Sequence, residues 1–333
     1  MAPLICEASP QPDKTYLLLE YKRNFLPISR AVRAKIEKTD LLAIHRMWSG
    51  LGAIMCNELT PDDPDLAYSP SSVAANYREV IADYETKSLA ALRHANAIRV
   101  PYGKTSEEYT IVFEPAGSAP DAMLVFFHGG YWQELSAEVS CFPADSLQSR
   151  GHAYAAVNYT LAPHATVSTI VAQCATALIS LATRRPHARM VIAGSSAGAH
   201  LAAMLMSVDW KIFGLNAAPF HGAVLISGIY DLRPLVTTYI NEPLRLDLEG
   251  AAAMSPQLLP LRVRVPTVVC WGEHETSAFK QQSRDYAAFI AQSGGDVSHY
   301  EVANRNHFDI LFDLSDFASR PGIDTFKLLG DKS

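Results

Sequence analysis

The sequence is poor in several things, and each shortage excludes a class of protein. Only five cysteines occur in 333 residues (Cys6, Cys56, Cys141, Cys174 and Cys270). Their number is odd, they are scattered, and no CxxC pair exists, so a disulfide framework is not indicated and reduced thiols in the cytoplasm are expected. Cys174 and Cys270 sit in apolar runs, which points to buried packing. There is no HExxH, no Cys/His cluster and no phosphate-cradling GxxxxGK[ST], although histidines number eleven. No metal and no cofactor is therefore expected. Positive charge is not in excess, because the net charge is −6, and nothing basic marks a nucleic-acid or anionic-membrane partner. No apolar run approaches the roughly 18 residues of a membrane span. Met1 to Lys14 carries Pro3, Glu7, Pro10, Pro12 and Asp13 in place of a charged-then-apolar secretory leader.

What is present is an ordinary globular composition, 49% hydrophobic and 19% charged, which disorder does not share. Residues 1–66 read differently from residues 67–333. Between Asp40 and Asn57 the side chains Leu41, Ile44, Trp48, Leu51 and Met55 recur at steps of three and four, which places them on one helical face. This segment is expected to be a helical extension, packed on its own domain, capping the site, or making a homodimer contact. Thr60 to Asp65 reads as a loop. A second helix is expected after Ser69-Pro70-Ser71-Ser72, with Val73, Tyr77, Val80, Ile81, Tyr84 and Ser88 facing inward.

Beyond it, short β-rich runs alternate with helical stretches. Strands are expected at 123–127, 153–157, 190–193, 223–226, 267–270 and 297–302, and helices at 167–183, 197–206 and 279–291. Alternation of this kind implies an α/β fold with a mostly parallel central sheet covered by helices on both faces. In such sheets, chemistry gathers beyond the carboxyl ends of the strands.

The residues that follow those strands carry the chemistry. After the strand at 190–193 comes Gly194-Ser195-Ser196-Ala197-Gly198 at the start of a helix. G-x-S-x-G between a strand and a helix is the setting of a nucleophilic serine, here Ser196, on a turn too sharp for side chains at 194 and 198. After the strand at 123–127 comes His128-Gly129-Gly130-Tyr131-Trp132. The glycines leave backbone N–H groups free to face a developing oxyanion, together with the amide of Ala197. His128 reads as a brace for this loop. A serine nucleophile needs a base, and the base an orienting carboxylate. Glu275 and Glu273 both follow the strand at 267–270; Glu275 is placed first and Glu273 remains the alternative. His307, after the last strand, is the candidate base. His164, His221, His274 and His299 are less well placed. Tyr131 and Trp132 are candidate surfaces for an aromatic substrate, Trp132 equally a packing residue beneath the loop. Ser195, Tyr239 and Asn241 are further candidates for the pocket. Arg233, Arg245 and Arg305 are candidates for holding a substrate carboxylate.

Taken together, these pieces resemble the α/β-hydrolase fold, and more narrowly the kynurenine formamidase (arylformamidase) family of its esterase/lipase branch. The resemblance rests on His128-Gly129-Gly130-Tyr131-Trp132 and on Gly194 to Leu201. Asn158-Tyr159-Thr160-Leu161-Ala162-Pro163, Ser227-Gly228-Ile229-Tyr230-Asp231-Leu232, Gly272-Glu273-His274-Glu275 with Phe279 and Gln282, and Asn306-His307-Phe308 extend it. Tyr68-Ser69-Pro70-Ser71-Ser72 looks like the start of that family's chains. The resemblance implies Ser196 as nucleophile, Glu275 as acid and His307 as base, with an oxyanion hole at Gly129, Gly130 and Ala197. It implies cofactor-free hydrolysis of N-formyl-L-kynurenine. The acid is often Asp in the family and is Glu here, and residues 1–66 exceed a compact member. A longer acyl group on an aromatic amine, as in an N-acylanthranilate, is thus a rival substrate. The alternatives are a carboxylesterase for small acyl esters and a ligand-binding relative without catalysis.

Overall fold

The computed structural model describes residues 63–94, 96–115 and 122–331. Eight strands are present: β1 (Ala97–Pro101), β2 (Tyr109–Phe113), β3 (Ala122–Phe127), β4 (Ala153–Val157), β5 (Arg189–Ser195), β6 (Gly222–Ile226), β7 (Thr267–His274) and β8 (Val297–Asn306). They form one sheet in the order β1-β2-β4-β3-β5-β6-β7-β8. From β4 to β8 every neighbouring pair is parallel, whereas β1 and β2 run antiparallel at one edge.

Burial explains why the central strands read as unbroken apolar runs. All residues of β3, β4 and β6 are buried, because helices cover both faces and neither face needs a polar row. One face packs Met123, Val125, Phe127, Ile192 and Leu225 against the helices Val167–Arg184 and Ala197–Ser207. The other packs Leu124, Phe126, Val191, Val224 and Ile226 against the helices Tyr77–His94 and Arg320–Leu329. Each large side chain so buried contributes about 1.5–3 kcal/mol relative to exposure. Val167–Arg184 is, by length and composition, the one described helix apolar enough to cross a membrane. Here Ile170, Cys174, Ala177 and Leu178 of that helix lie fully buried in the core. Cys141, Cys174 and Cys270 are free and buried.

The expected strands and helices are found, extended by a few residues at most of their ends. Two strands were not expected. β1 is an edge strand with Arg99 and Pro101 in it and little buried surface, so it has no apolar signature. β2 is buried throughout, but it returns antiparallel, without the helix that marks the other strands. Three further details differ. Asp63 caps a short helix, Pro64–Ala67, by accepting from Asp65 N, where a loop was expected; Asp before Pro is a helix-start signal. Pro70–Ser72 forms a 3₁₀ turn and the long helix begins only at Tyr77. Val73 therefore lies outside that helix and is exposed, whereas Val80, Tyr84 and Ser88 are buried as expected. The amphipathic segment between Asp40 and Asn57, and with it the extension of residues 1–66 up to its last few residues, lies outside the described residues.

Candidate active site

β3 lies between β4 and β5, so the strand order reverses there, and the carboxyl ends of the strands at such a point are where a site is expected. The neighbouring strands β3, β5, β6, β7 and β8 are followed at those ends by His128-Gly129, Ser196, Ser227, Glu275 and His307.

Ser196 sits at the junction of β5 and the helix Ala197–Ser207 with φ 57° and ψ −120°. This conformation is uncommon for a residue with a Cβ and persists only where the surroundings enforce it. Ser196 N donates to Ile226 O at 2.9 Å, and Ser196 O accepts from His200 N at 3.1 Å. A Cβ added to Gly194 would collide with the Gly198 carbonyl, and one added to Gly198 with the Phe127 carbonyl. The helix N-terminus therefore lies hard against the sheet, with no room for larger residues. Ser196 is only 7% exposed.

The loop after β3 runs beside this turn. A Cβ on Gly129 would lie 2.9 Å from Ser195 O and 3.4 Å from Ser196 Cβ, so its backbone lies against the serine. Gly130, Tyr131 and Trp132 are all left-handed, with φ of 90°, 50° and 62°. Gly130 O closes the turn by accepting from Gln133 N at 2.8 Å and Glu134 N at 2.9 Å. His128 braces the loop: its Nδ1 lies 2.9 Å from Gly129 O, and its ring stacks on Tyr159 at 4.1 Å. The Tyr159 hydroxyl donates to His128 O at 2.8 Å. Burial lowers the His128 pKa from 6.5 to about 4, so this imidazole is neutral near pH 7.

Of the two carboxylates left open by the sequence, Glu275 is the one that reaches His307: Oε2 lies 3.0 Å from Nδ1. Its other oxygen, Oε1, accepts from Ser227 Oγ at 2.6 Å and Gly272 N at 2.6 Å. A register shift between β7 and β8 at Gly272 and His274 ends regular pairing where the chain turns toward Glu275. Glu273 is exposed and accepts from Asn304 N at 2.8 Å. His307 is held by the turn that carries it. Asn306 Oδ1 accepts from Phe308 N at 2.9 Å and Asp309 N at 3.1 Å, while Asp309 Oδ1 accepts from Asn306 N at 2.7 Å. The edge of Phe279 packs on the imidazole, with ring centroids 4.4 Å apart. His164, His221, His274 and His299 are all exposed.

The remaining candidates are distributed as follows. Trp132 is fully buried and meets His200 edge-on at 4.9 Å. It packs beneath the loop and offers no open face to a ring, which is the second of the two roles expected for it and not that of a substrate surface. Ser195 is buried at the end of β5, paired in register with Ile226. Tyr131 donates to Tyr68 O, and the Tyr239 hydroxyl lies 2.9 Å from Ser69 Oγ. The two tyrosines are thus tied to adjacent residues of one segment, and Tyr239 is 56% exposed. Asn241 is occupied by its own loop, bonding Val236 O and Leu246 at both backbone ends. Arg233 and Arg305 are not open to a substrate carboxylate as expected. Arg233 is paired with Asp231 at 2.6 Å and Arg305 with Asp313 at 2.7 Å. Arg245 is exposed. Among the described residues no group of three or more His, Cys, Asp or Glu side chains is arranged to hold a metal ion.

Ser227, Gly272 and Tyr68 also belong to the site, although nothing in the sequence around them marks a role. Tyr68 Oη accepts from Gln282 Nε2 at 3.1 Å, and its ring packs on Phe279 at 6.0 Å. The segment before the long helix is thereby joined to the wall behind His307. A strand-end serine has no sequence signal of its own; its meaning appears only when Glu275 is seen opposite.

Residues 124–310 match the family model of the α/β-hydrolase fold. A kynurenine formamidase of Danio rerio is 34% identical over 272 residues, spanning 78% of this chain and 92% of that protein. A kynurenine formamidase of Salmo salar is 34% identical over 274 residues, spanning 78% and 93%. A solved structure of a thioesterase candidate from Silicibacter sp. TM1040 superposes with a TM-score of 0.68 at 28% identity, covering 78% of this chain and 98% of that one. The chain belongs to the kynurenine formamidase family of α/β hydrolases.

Proposed function

We propose that the protein is a serine hydrolase cleaving the amide bond of an N-acyl aromatic amine of the N-formylkynurenine type, with Ser196 as nucleophile, His307 as base and Glu275 as its orienting acid. The observation that carries this reading is the contact of Glu275 Oε2 with His307 Nδ1 at 3.0 Å, at the same strand ends as the strained Ser196 turn. The kinship with kynurenine formamidases supports the substrate class.

In this mechanism Glu275 holds the Nδ1–H tautomer of His307, leaving Nε2 free to take the Ser196 proton. The hydroxyl oxygen attacks the acyl carbon. Backbone amides of Gly129, Gly130 and Ala197 stabilise the oxyanion, each donor contributing about 3 kcal/mol. His307 then passes its proton to the leaving aryl amine as the C–N bond breaks. An aryl amine is a weaker base than an alkyl amine and leaves more readily. Water, deprotonated by the same imidazole, attacks the acyl-serine and releases the carboxylic acid, formate for a formyl group. Tyr131 and Tyr239 are the side chains this reading assigns to the substrate ring.

An amide series with one ring and increasing acyl length, read as kcat/KM, tests the assignment, alongside the matching esters. Highest turnover on the formyl amide supports it. An optimum at longer acyl groups moves the substrate toward N-acylanthranilates. Cleavage of the esters with no turnover of any amide contradicts it and leaves a carboxylesterase.

A further inference from the structure

Ser227 follows β6 directly, in a conformation that costs energy. Its φ is 52°, in the left-handed region, and it is completely buried. Glycine adopts such a φ without steric cost, whereas serine does not. A serine here needs a reason beyond the turn, since the backbone bond it makes, Ser227 N to Cys270 O at 2.8 Å, requires no side chain.

The reason lies across the sheet. Ser227 Oγ donates to Glu275 Oε1 at 2.6 Å, and Gly272 N donates to the same oxygen at 2.6 Å. A glutamate carboxylate turns broadly about its last torsion, and either oxygen can present itself to a neighbour. With two donors gathered on Oε1, that freedom is removed and Oε2 is left toward His307 Nδ1. Glutamate has one more rotatable bond than aspartate, so it depends more on such restraint. The left-handed backbone of Ser227 is what aims its hydroxyl at this oxygen.

We infer that Ser227 is a positioning residue of the active site, whose hydroxyl fixes Glu275 Oε1 so that Oε2 orients the imidazole of His307. This rests on the reading of Glu275 as the acid partner of His307. Ser227 touches no reacting atom; it acts through Glu275.

The test compares Ser227→Gly, Ser227→Ala, Glu275→Gln and the double variant Ser227→Gly/Glu275→Gln on N-formyl-L-kynurenine, with p-nitrophenyl acetate as a second substrate. Glycine suits φ 52° and alanine does not, so the two single variants differ in thermal stability. Both lose the hydroxyl, and both are expected to lose kcat alike, by about tenfold to a hundredfold. KM is expected to stay within about threefold. In the Glu275→Gln background the Ser227→Gly change is expected to cost less than about twofold, because its effect passes through the missing carboxylate. Two results overturn the inference: wild-type kcat in Ser227→Gly, or an undiminished loss when the change is made on Glu275→Gln. Wild-type activity of Glu275→Gln itself overturns the reading of Glu275 and the inference with it. A fall in Glu275→Gln with none in either Ser227 variant overturns the inference alone.

Discussion

Gly198 lies so close to Phe127 that a Cβ on the glycine would press into the Phe127 carbonyl, well inside the 3.0 Å that real Cβ atoms keep. Phe127 ends β3, which pairs on one side with β4 and on the other with β5, so the carbonyl has nowhere to retreat. Gly198→Ala is expected to cost about 2–3 kcal/mol of stability and to lower kcat/KM by about a hundredfold, since moving the helix moves Ser196. Thermal unfolding and steady-state kinetics on the folded fraction check both effects.

Two buried imidazoles make stability depend on pH. Burial lowers both His128 and His200 from 6.5 to about 4, so the fold keeps them neutral while the unfolded chain protonates them near 6.5. Below that value the unfolded state binds more protons than the native one, and acid favours unfolding. Their stabilisation is complete above pH 6.5, declines as the pH falls toward 4, and levels off below it. Between pH 7 and pH 5 each is expected to contribute a loss of roughly 2 kcal/mol. Denaturant unfolding across that range measures the slope, and His200→Phe is expected to flatten it by one imidazole's share. A pH-independent stability from 7 to 5 contradicts this.

The Arg305–Asp313 pair is unequally exposed, with side-chain exposures of 38% and 3%. Arg305 makes a two-pronged bond to the carboxylate, at 2.9 and 2.7 Å. Removing the arginine leaves a buried anion without a partner, whereas removing the anion leaves a cation that reaches water. Arg305→Met is therefore expected to cost about 3 kcal/mol, and Asp313→Asn at least about 1 kcal/mol less. Paired chemical denaturation of the two variants checks the order.

The strand ends that carry Ser196, Glu275 and His307 were readable in the sequence, because central parallel strands are continuous apolar runs and the chemistry follows each one. The choice between Glu273 and Glu275 was readable only as a preference for Glu275. Both follow the same strand, and only the irregular pairing of β7 with β8 shows which one turns inward. Ser227 was invisible for a similar reason: its partner is Glu275, 48 positions away. Trp132 gave the opposite lesson. An aromatic beside an oxyanion loop looks the same in sequence whether it faces the cleft or the core, and three left-handed residues in a row turn this one inward. The arginines were misleading because the sequence does not reveal that Asp231 and Asp313 already hold two of them.

The most direct measurement is turnover of N-formyl-L-kynurenine by purified Ser196→Ala, with folding verified by circular dichroism and thermal unfolding. The expected result is a native-like fold and a fall in kcat of about 10⁴-fold or more. A folded Ser196→Ala protein that hydrolyses the amide at close to the wild-type rate would contradict the account, because the reaction would then not pass through this serine.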